Sequence, residues 1–473
     1  MKCAIPVLMS LSLALMLPPS AFAQSAALDP AIQKILSSIS EQRLAELVKK
    51  LQSFETRHTL STADSTVRGI GAARQWILEE MTRSSPRLQV SFDTYMLPKQ
   101  GQRIPRDVEL RNVMAVLPGK SPRRIYVSGH YDSLARRPRA ATETSEANAA
   151  RQPGASADNA DPRSTTPEGS GSSFDWAAAD NFAPGANDDG SGTALTMELA
   201  RVFAASEIEF DATLVFIALA GEEEGLVGAK AHAQKAEANK LQIDAVFNND
   251  IVGNPAGGNG IVDAETVRVF SEGPENSLSR QLARFIRRVA ARYLPSHQVK
   301  LIARHDRFGR GGDHTAFNQH GYAAVRFTES NENYARQHTA DDTADGVSAV
   351  YLARNARINA AGVAALSLAP PAPVVIDERK RPTLDRRPSG YDARLRWQAS
   401  PGAAGYRVFW REAWTPDWQH ELDVGNVTEF IFENLSIDDY VFGVAAIGAG
   451  GHESVVSAYV NPPRAEQTII VKN

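Results

Sequence analysis

Residues 212–229 read ATLVFIALAGEEEGLVGA. The run over 212–220 is apolar except for Thr213 and carries the β-branched and aromatic residues of a strand buried on both faces, and it is too short to span a membrane. Gly221 ends it, Glu222, Glu223 and Glu224 follow at once, and GLVGA opens a stretch over 225–236 with the length and periodicity of a helix. A buried strand that feeds a helix is one unit of an α/β sheet.

The unit recurs on both sides. Upstream, Leu88, Val90 and Phe92 alternate as a strand, NVMAV (112–116) and RIYVS (124–128) are buried-strand runs, and a helix is expected over 192–205. Downstream, AVFN (245–248), VRVF (267–270), VKLIA (299–303) and AAVRF (323–327) read as strands, with helices over 277–294 and 347–368. Near the start, Ile32, Ile35, Leu36 and Ile39, then Leu44, Leu47, Val48 and Leu51, recur at three and four as one or two amphipathic helices, and another is expected around 67–81. The expected fold is α/β, a mostly parallel central sheet flanked by helices, over residues 24–368. Inside it, residues 135–182 are poor in aliphatics and rich in Ala, Ser, Pro and charge, which predicts a disordered insertion. APPAPVV (369–375) begins a linker that runs to 378. Over 379–473, short alternating strands LRWQA, YRVFWR, TEFIFE and YVFGVAAIG predict a small β-sandwich.

The 473 residues are ample for two folded units, and 51 basic against 55 acidic side chains give no global field to hold nucleic acid. Residues 1–23 combine Lys2, an apolar stretch over 4–17 and the small-residue end Ala21, Phe22, Ala23, which predicts a signal peptide cut after Ala23 and a secreted or periplasmic protein. No later stretch is long and apolar enough for a transmembrane span. The one cysteine, Cys3, lies inside that signal. A metal site in the mature chain must therefore be built from His, Asp and Glu.

Five segments offer such groups. In Ser128-Gly129-His130-Tyr131-Asp132, the extended spacing puts His130 and Asp132 on one face, so that Asp132 can fix the imidazole while its other nitrogen meets a metal. In PGANDDGSG (184–192), Asp188 and Asp189 precede a helix, a setting that a plain N-cap would also explain. Three carboxylates wedged between a buried strand and a packed helix repel one another unless a cation neutralises them, so Glu222 and Glu223 favour a functional role. Asp250 in FNNDIVG stands at a strand end, and His338 lies in QHTADDT.

In this order, GHYDS, PGANDDGSG, GEEEGLVG, NND and HTADDT resemble the co-catalytic di-zinc aminopeptidases, the family of secreted bacterial leucyl aminopeptidases that also includes glutamate carboxypeptidase and relatives of glutaminyl cyclase. The likeness covers residues 31–368. It implies two Zn2+ ions bridged by Asp188, one completed by His130 and Asp250 and the other by Glu223 and His338. It also implies Glu222 as general base and Asp132 as the group that orients His130, with Asp188 and Asp189 joined by a peptide bond that the family often holds in cis. Two metals about 3.5–4 Å apart can share a hydroxide and polarise a scissile carbonyl. The expected activity is removal of apolar amino-terminal residues from peptide substrates. The rivals are a carboxypeptidase on the same metals, a non-catalytic binding protein that kept the fold, and a single-metal cyclase.

Two departures stand out. Some family members have a tyrosine before the last histidine to help hold the oxyanion, and Gln337 stands there instead. The separation of His130 from Asp188 is lengthened by the 135–182 segment, which is expected to overhang the site. His305, Asp306, Asp313 and His314 could bind metal on composition, but Asp313 reads as the cap of the short helix HTAFNQ, and the cluster is expected at the pocket rim. The C-terminal strands, with Trp397, Tyr406, Val408, Leu435 and Tyr440, resemble a fibronectin type III sandwich. Its aromatics Trp410, Trp414 and Trp418 could attach the protein to a surface or polymer, or form core.

Overall fold

The computed structural model describes residues 28–135, 179–387 and 390–461. The expected signal peptide and nearly all of the expected insertion lie outside the described residues.

Two short amphipathic helices open the chain, α1 (Pro30–Ser37) and α2 (Glu41–Gln52), capped by Asp29 and Ser40, each of which accepts a backbone N–H of the first turn. α3 (Gly69–Ser84) follows, then β1 (Gln89–Leu97), β2 (Val108–Leu117) and β3 (Ser121–His130). The alternation then sets in: α4 (Gly190–Ala205), β4 (Ala212–Leu219), α5 (Val227–Ala238), β5 (Ile243–Asn249), β6 (Thr266–Ser271), α6 (Leu278–Tyr293), β7 (Gln298–Ile302), α7 (His314–Gln319), β8 (Ala324–Glu329) and α8 (Ala349–Ser367). One eight-stranded sheet has the order β1-β2-β4-β3-β5-β8-β6-β7. Its centre, β4-β3-β5-β8, is parallel, while β1 with β2, β2 with β4, and β6 with β8 pair antiparallel. The central strands are buried on both faces, as their unbroken apolar runs require.

Beyond α8 the strands are short and antiparallel: β9 (Leu384–Arg386), β10 (Ala393–Arg396), β11 (Ala403–Glu412), β12 (His420–Gly425), β13 (Glu429–Phe432), β14 (Tyr440–Gly448) and β15 (Ser457–Ala458). They form two sheets, β13-β10-β9 and β12-β11-β14-β15, around Trp397, Tyr406, Val408, Phe442 and Val444. Val375 joins this core, so the last part of the expected linker packs with the sandwich.

The sandwich docks on α6. The Arg288 guanidinium lies 4.6 Å from the Phe409 ring centroid and pairs with Glu421 and Glu453 at 2.9 Å. Trp418 Nε1 donates to Gln281 Oε1 (3.1 Å), and Arg284 Nε donates to the Pro416 carbonyl (2.7 Å). Trp418 is thus spent on this internal contact and Trp410 stacks on His420, which leaves Trp414 exposed. A chain ending near Pro370 strips this cover from α6. It is expected to melt at a lower temperature than the full chain yet keep its turnover on dipeptide-sized substrates, because no candidate site residue lies past α8. Thermal melts beside dipeptide kinetics check both halves. Among the described residues no helix is long and apolar enough to cross a membrane.

Candidate metal centre

From β3 the chain crosses through α4 to β4 on one side, then returns through α5 to β5 on the other. The strand order reverses at β3, and a crevice opens where the carboxyl ends of β4, β3 and β5 diverge. His130 is the last residue of β3, Asp250 follows β5 directly, and Glu222 and Glu223 stand just past β4. Asp188 and Asp189 immediately precede α4, and His338 comes from the connection between β8 and α8. Gly192 lets α4 approach the strand ends: a Cβ there would sit 2.2 Å from the Asn249 carbonyl oxygen.

All seven predicted site residues meet in this crevice. Asp188 presents one oxygen to each histidine, Oδ1 at 3.3 Å from His130 Nε2 and Oδ2 at 3.0 Å from His338 Nε2. Asp250 Oδ1 lies 3.8 Å from His130 Nε2, and Glu223 Oε1 lies 3.1 Å from His338 Nε2. His130, Asp188, Glu223, Asp250 and His338 are all buried, whereas Glu222 is partly exposed to the crevice. Asp188, Glu223 and His338 can bring ligand atoms within 4.8 Å of one another, as can His130 with Glu222 and Glu223, and His130 with Asp189 and Asp250. Asp189 is otherwise engaged. Its Oδ1 accepts the N–H groups of Gly192 and Ile251, and its Oδ2 accepts that of His130. The peptide bond between Asp188 and Asp189 is cis.

The electrostatics fit a cation. Asp188 Oδ2 and Glu223 Oε1 are buried and converge on one nitrogen, His338 Nε2, without a well-formed hydrogen bond to either oxygen. Against the cost of burial, Glu223 and Asp188 push His338 up to about 9, and Asp132, Asp188 and Asp250 hold His130 well above the usual imidazole range. Burial first, then Glu223, Asp250 and Asp313, raise the Glu222 carboxyl well above the carboxylate range. Imidazoles drawn toward the charged state and a carboxyl driven toward the neutral one report a strongly negative potential, which a divalent ion on His, Asp and Glu ligands would relieve.

Several groups hold this arrangement in place. Asp132 Oδ1 and Oδ2 accept the N–H groups of Glu222 and Glu223, while its backbone carbonyl is 3.2 Å and its Oδ1 3.5 Å from His130 Nδ1. Asp132 therefore orients a histidine and both glutamates at once. Asp342, in the HTADDT segment, accepts the Asn187 and Asp188 N–H groups. Glu224 turns away toward His58 Nδ1, 3.5 Å distant, so the acidic triplet divides between the crevice and the protein behind it.

The structure corrects the sequence at Asp313. Its side chain makes no cap hydrogen bond to α7; it is buried with neither carboxylate oxygen bonded. Burial, then Asp132 and Asp250, push it up to about 8. Arg326, fully buried on β8, pairs with Asp250 and Asp306 at 3.0 Å each, and Arg307 also pairs with Asp306. Asp306, Asp313 and His314 of the expected rim cluster are thus buried beside the crevice, and His305 alone of the four is exposed. Gln337 borders the crevice with its Oε1 accepting from Arg310 Nη1 (2.9 Å).

The sequence profile of peptidase family M28 matches residues 112–363, a span that holds all seven predicted site residues. The chain belongs to peptidase family M28. A probable zinc metalloprotease of Pyricularia oryzae is 37% identical over 469 residues, covering 90% of this chain and 84% of that one. A probable zinc metalloprotease of Leptosphaeria maculans is 36% identical, covering 89% and 95%. In fold, the chain is similar to the LapA aminopeptidase of Legionella pneumophila, with a TM-score of 0.50, 18% identity, and coverage of 76% and 78%. For a member of M28 the crevice is the natural place for peptide-bond hydrolysis, and the chain is a metallopeptidase by family.

Proposed function

We propose that the chain is an exported aminopeptidase that uses two zinc ions. The carrying observation is Asp188, whose two oxygens face two different histidines, as a carboxylate bridging two cations must. His130 and Asp250 would hold one ion with it, and Glu223 and His338 the other. When bound, the two ions supply a Lewis acid for the scissile carbonyl and acidify the attacking water. Glu222, beside the ligands but partly open to the crevice, accepts the water's proton at its carboxylate and returns it to the leaving amine. Asp132 keeps Glu222, Glu223 and the His130 ring in register through the hydrogen bonds to their backbone and ring nitrogens.

Export rests on residues 1–23. The sandwich, docked on α6 with Trp414 outermost, would serve attachment to a surface or polymer. A preference for apolar amino-terminal residues is implied by the resemblance alone.

Peptides with a free amino terminus, compared with N-acetylated ones before and after chelation and zinc return, test the reading. Cleavage confined to free-amine peptides, lost on chelation and restored by zinc, is expected; cleavage from the carboxyl end would contradict it. A further outcome concerns Asp342. Replacing it by Ala is expected to weaken metal affinity by about 10- to 100-fold, the usual effect of removing a group that orients a ligand. Competition with a chelator reads this directly.

A further inference from the structure

With Asp188 between them, the two ions would have matched donors: His130 and Asp250 for one, His338 and Glu223 for the other. What stands behind the two outer carboxylates differs. Asp250 ends a ladder of alternating charges. Its Oδ1 lies 3.0 Å from Arg326 Nη2, and Arg326 Nη1 lies 3.0 Å from Asp306 Oδ2. Asp306 Oδ1 pairs with Arg307 Nε (3.1 Å), and Glu332 joins Arg307 (2.7 Å) to Arg268 (2.6 Å). Five of these six side chains are buried, and Arg268 alone is partly exposed.

The guanidinium groups of Arg326, Arg307 and Arg268 face the carboxylates of Asp250, Asp306 and Glu332, so the ladder is neutral when Asp250 is counted in it. A cation bound by Asp250 therefore shares a carboxylate that already has its counter-charge. It also meets a guanidinium directly behind that carboxylate, where burial leaves charges poorly screened. Glu223 has no such neighbour: among the described residues no lysine or arginine pairs with Glu223 or Asp188, whose facing oxygens converge on His338 Nε2 instead. The charge of Arg57 lies near Asp188, which both ions would share, and its donors go to backbone carbonyls.

We propose that Arg326 makes the two metal sites unequal. It is a positioning residue that holds the Asp250 carboxylate, and its charge opposes the ion on His130 and Asp250, so that this ion is the one that exchanges. This rests on the two-zinc reading.

The test is zinc release from the zinc-loaded full chain titrated with a chelator, followed as zinc per chain by elemental analysis. Release in two steps about 10- to 100-fold apart in affinity is expected, the scale on which a group behind a ligand moves metal binding. Arg326→Met leaves Asp250 and Asp306 without that counter-charge and is expected to bring the two steps together, while Arg326→Lys keeps the charge and the gap. His130→Ala is expected to retain the tight ion and His338→Ala only the weak one. Release of both ions in one step from the unaltered chain, a gap that Arg326→Met leaves unmoved or that Arg326→Lys closes as fully, or a tight ion surviving in His338→Ala would overturn the proposal while leaving the two-zinc reading standing. One ion per chain at saturating zinc would overturn both. Should Arg326→Met not fold, the two histidine variants decide.

Discussion

Replacing Glu222 by Gln is expected to leave both zinc ions in place and to lower kcat by about 100- to 10,000-fold, the range for loss of a general base. The amide keeps the shape and the backbone bond to Asp132 but cannot take a proton. Its neighbour behaves differently: Glu223 Oε1 points at His338 Nε2 beside Asp188, so Glu223→Gln is expected to weaken one metal ion before it affects the chemistry. Zinc content by elemental analysis, read beside kcat, separates the two. Near-normal turnover in Glu222→Gln with full zinc would end the mechanism, and zinc loss from that variant would show that the two roles are exchanged.

The second large effect is on stability. Arg57 is fully buried, and its guanidinium donates to the carbonyls of Tyr131 (2.6 Å), Leu51 (3.1 Å), Pro184 (2.6 Å) and Gly185 (2.7 Å). It ties the end of α2 and the exit of β3 to the turn that delivers Asp188. Its positive charge also lies among Asp342, Asp132, Asp189 and Asp188, although burial first lowers its own pKa to about 10. Arg57→Met would strand four carbonyls and remove a buried cation from amid those carboxylates. The expected loss is about 3–5 kcal/mol, typical of removing one partner from a buried ionic network. Denaturant unfolding of the metal-free protein measures it, and a loss under about 0.5 kcal/mol, the scale of a neutral surface change, would refute this role.

The strands and helices were legible because burial on both faces leaves unbroken apolar runs, as at 212–220, and because helix faces repeat at three and four. β12 was not read as a strand: HELDVG alternates Leu422 and Val424 with Glu421 and Asp423, but it holds only those two apolar residues and is exposed along most of its length. The antiparallel pairings of β2 with β4 and β6 with β8 were also hidden, since sequence records burial more clearly than strand direction. At the site, the short motifs exposed the ligand candidates, but the groups that hold them came from afar. Arg57 is 127 residues from Pro184, and nothing near it in sequence marks it as ionic glue. Asp313 misled for a local reason: an Asp before a short helix is the common cap, and only tertiary packing turns its carboxyl inward instead. Arg326 sits inside an apolar strand, where its partners Asp250 and Asp306 are distant in the chain.

The central claim is that one carboxylate, Asp188, joins two zinc ions. Zinc per chain, measured by elemental analysis on the unaltered protein and on Asp188→Ala after equilibration at limiting zinc, tests it most directly. Two ions per chain are expected in the first and loss of both in the second, whereas a single ion in the unaltered protein, or retention of either ion in Asp188→Ala, would refute the bridge.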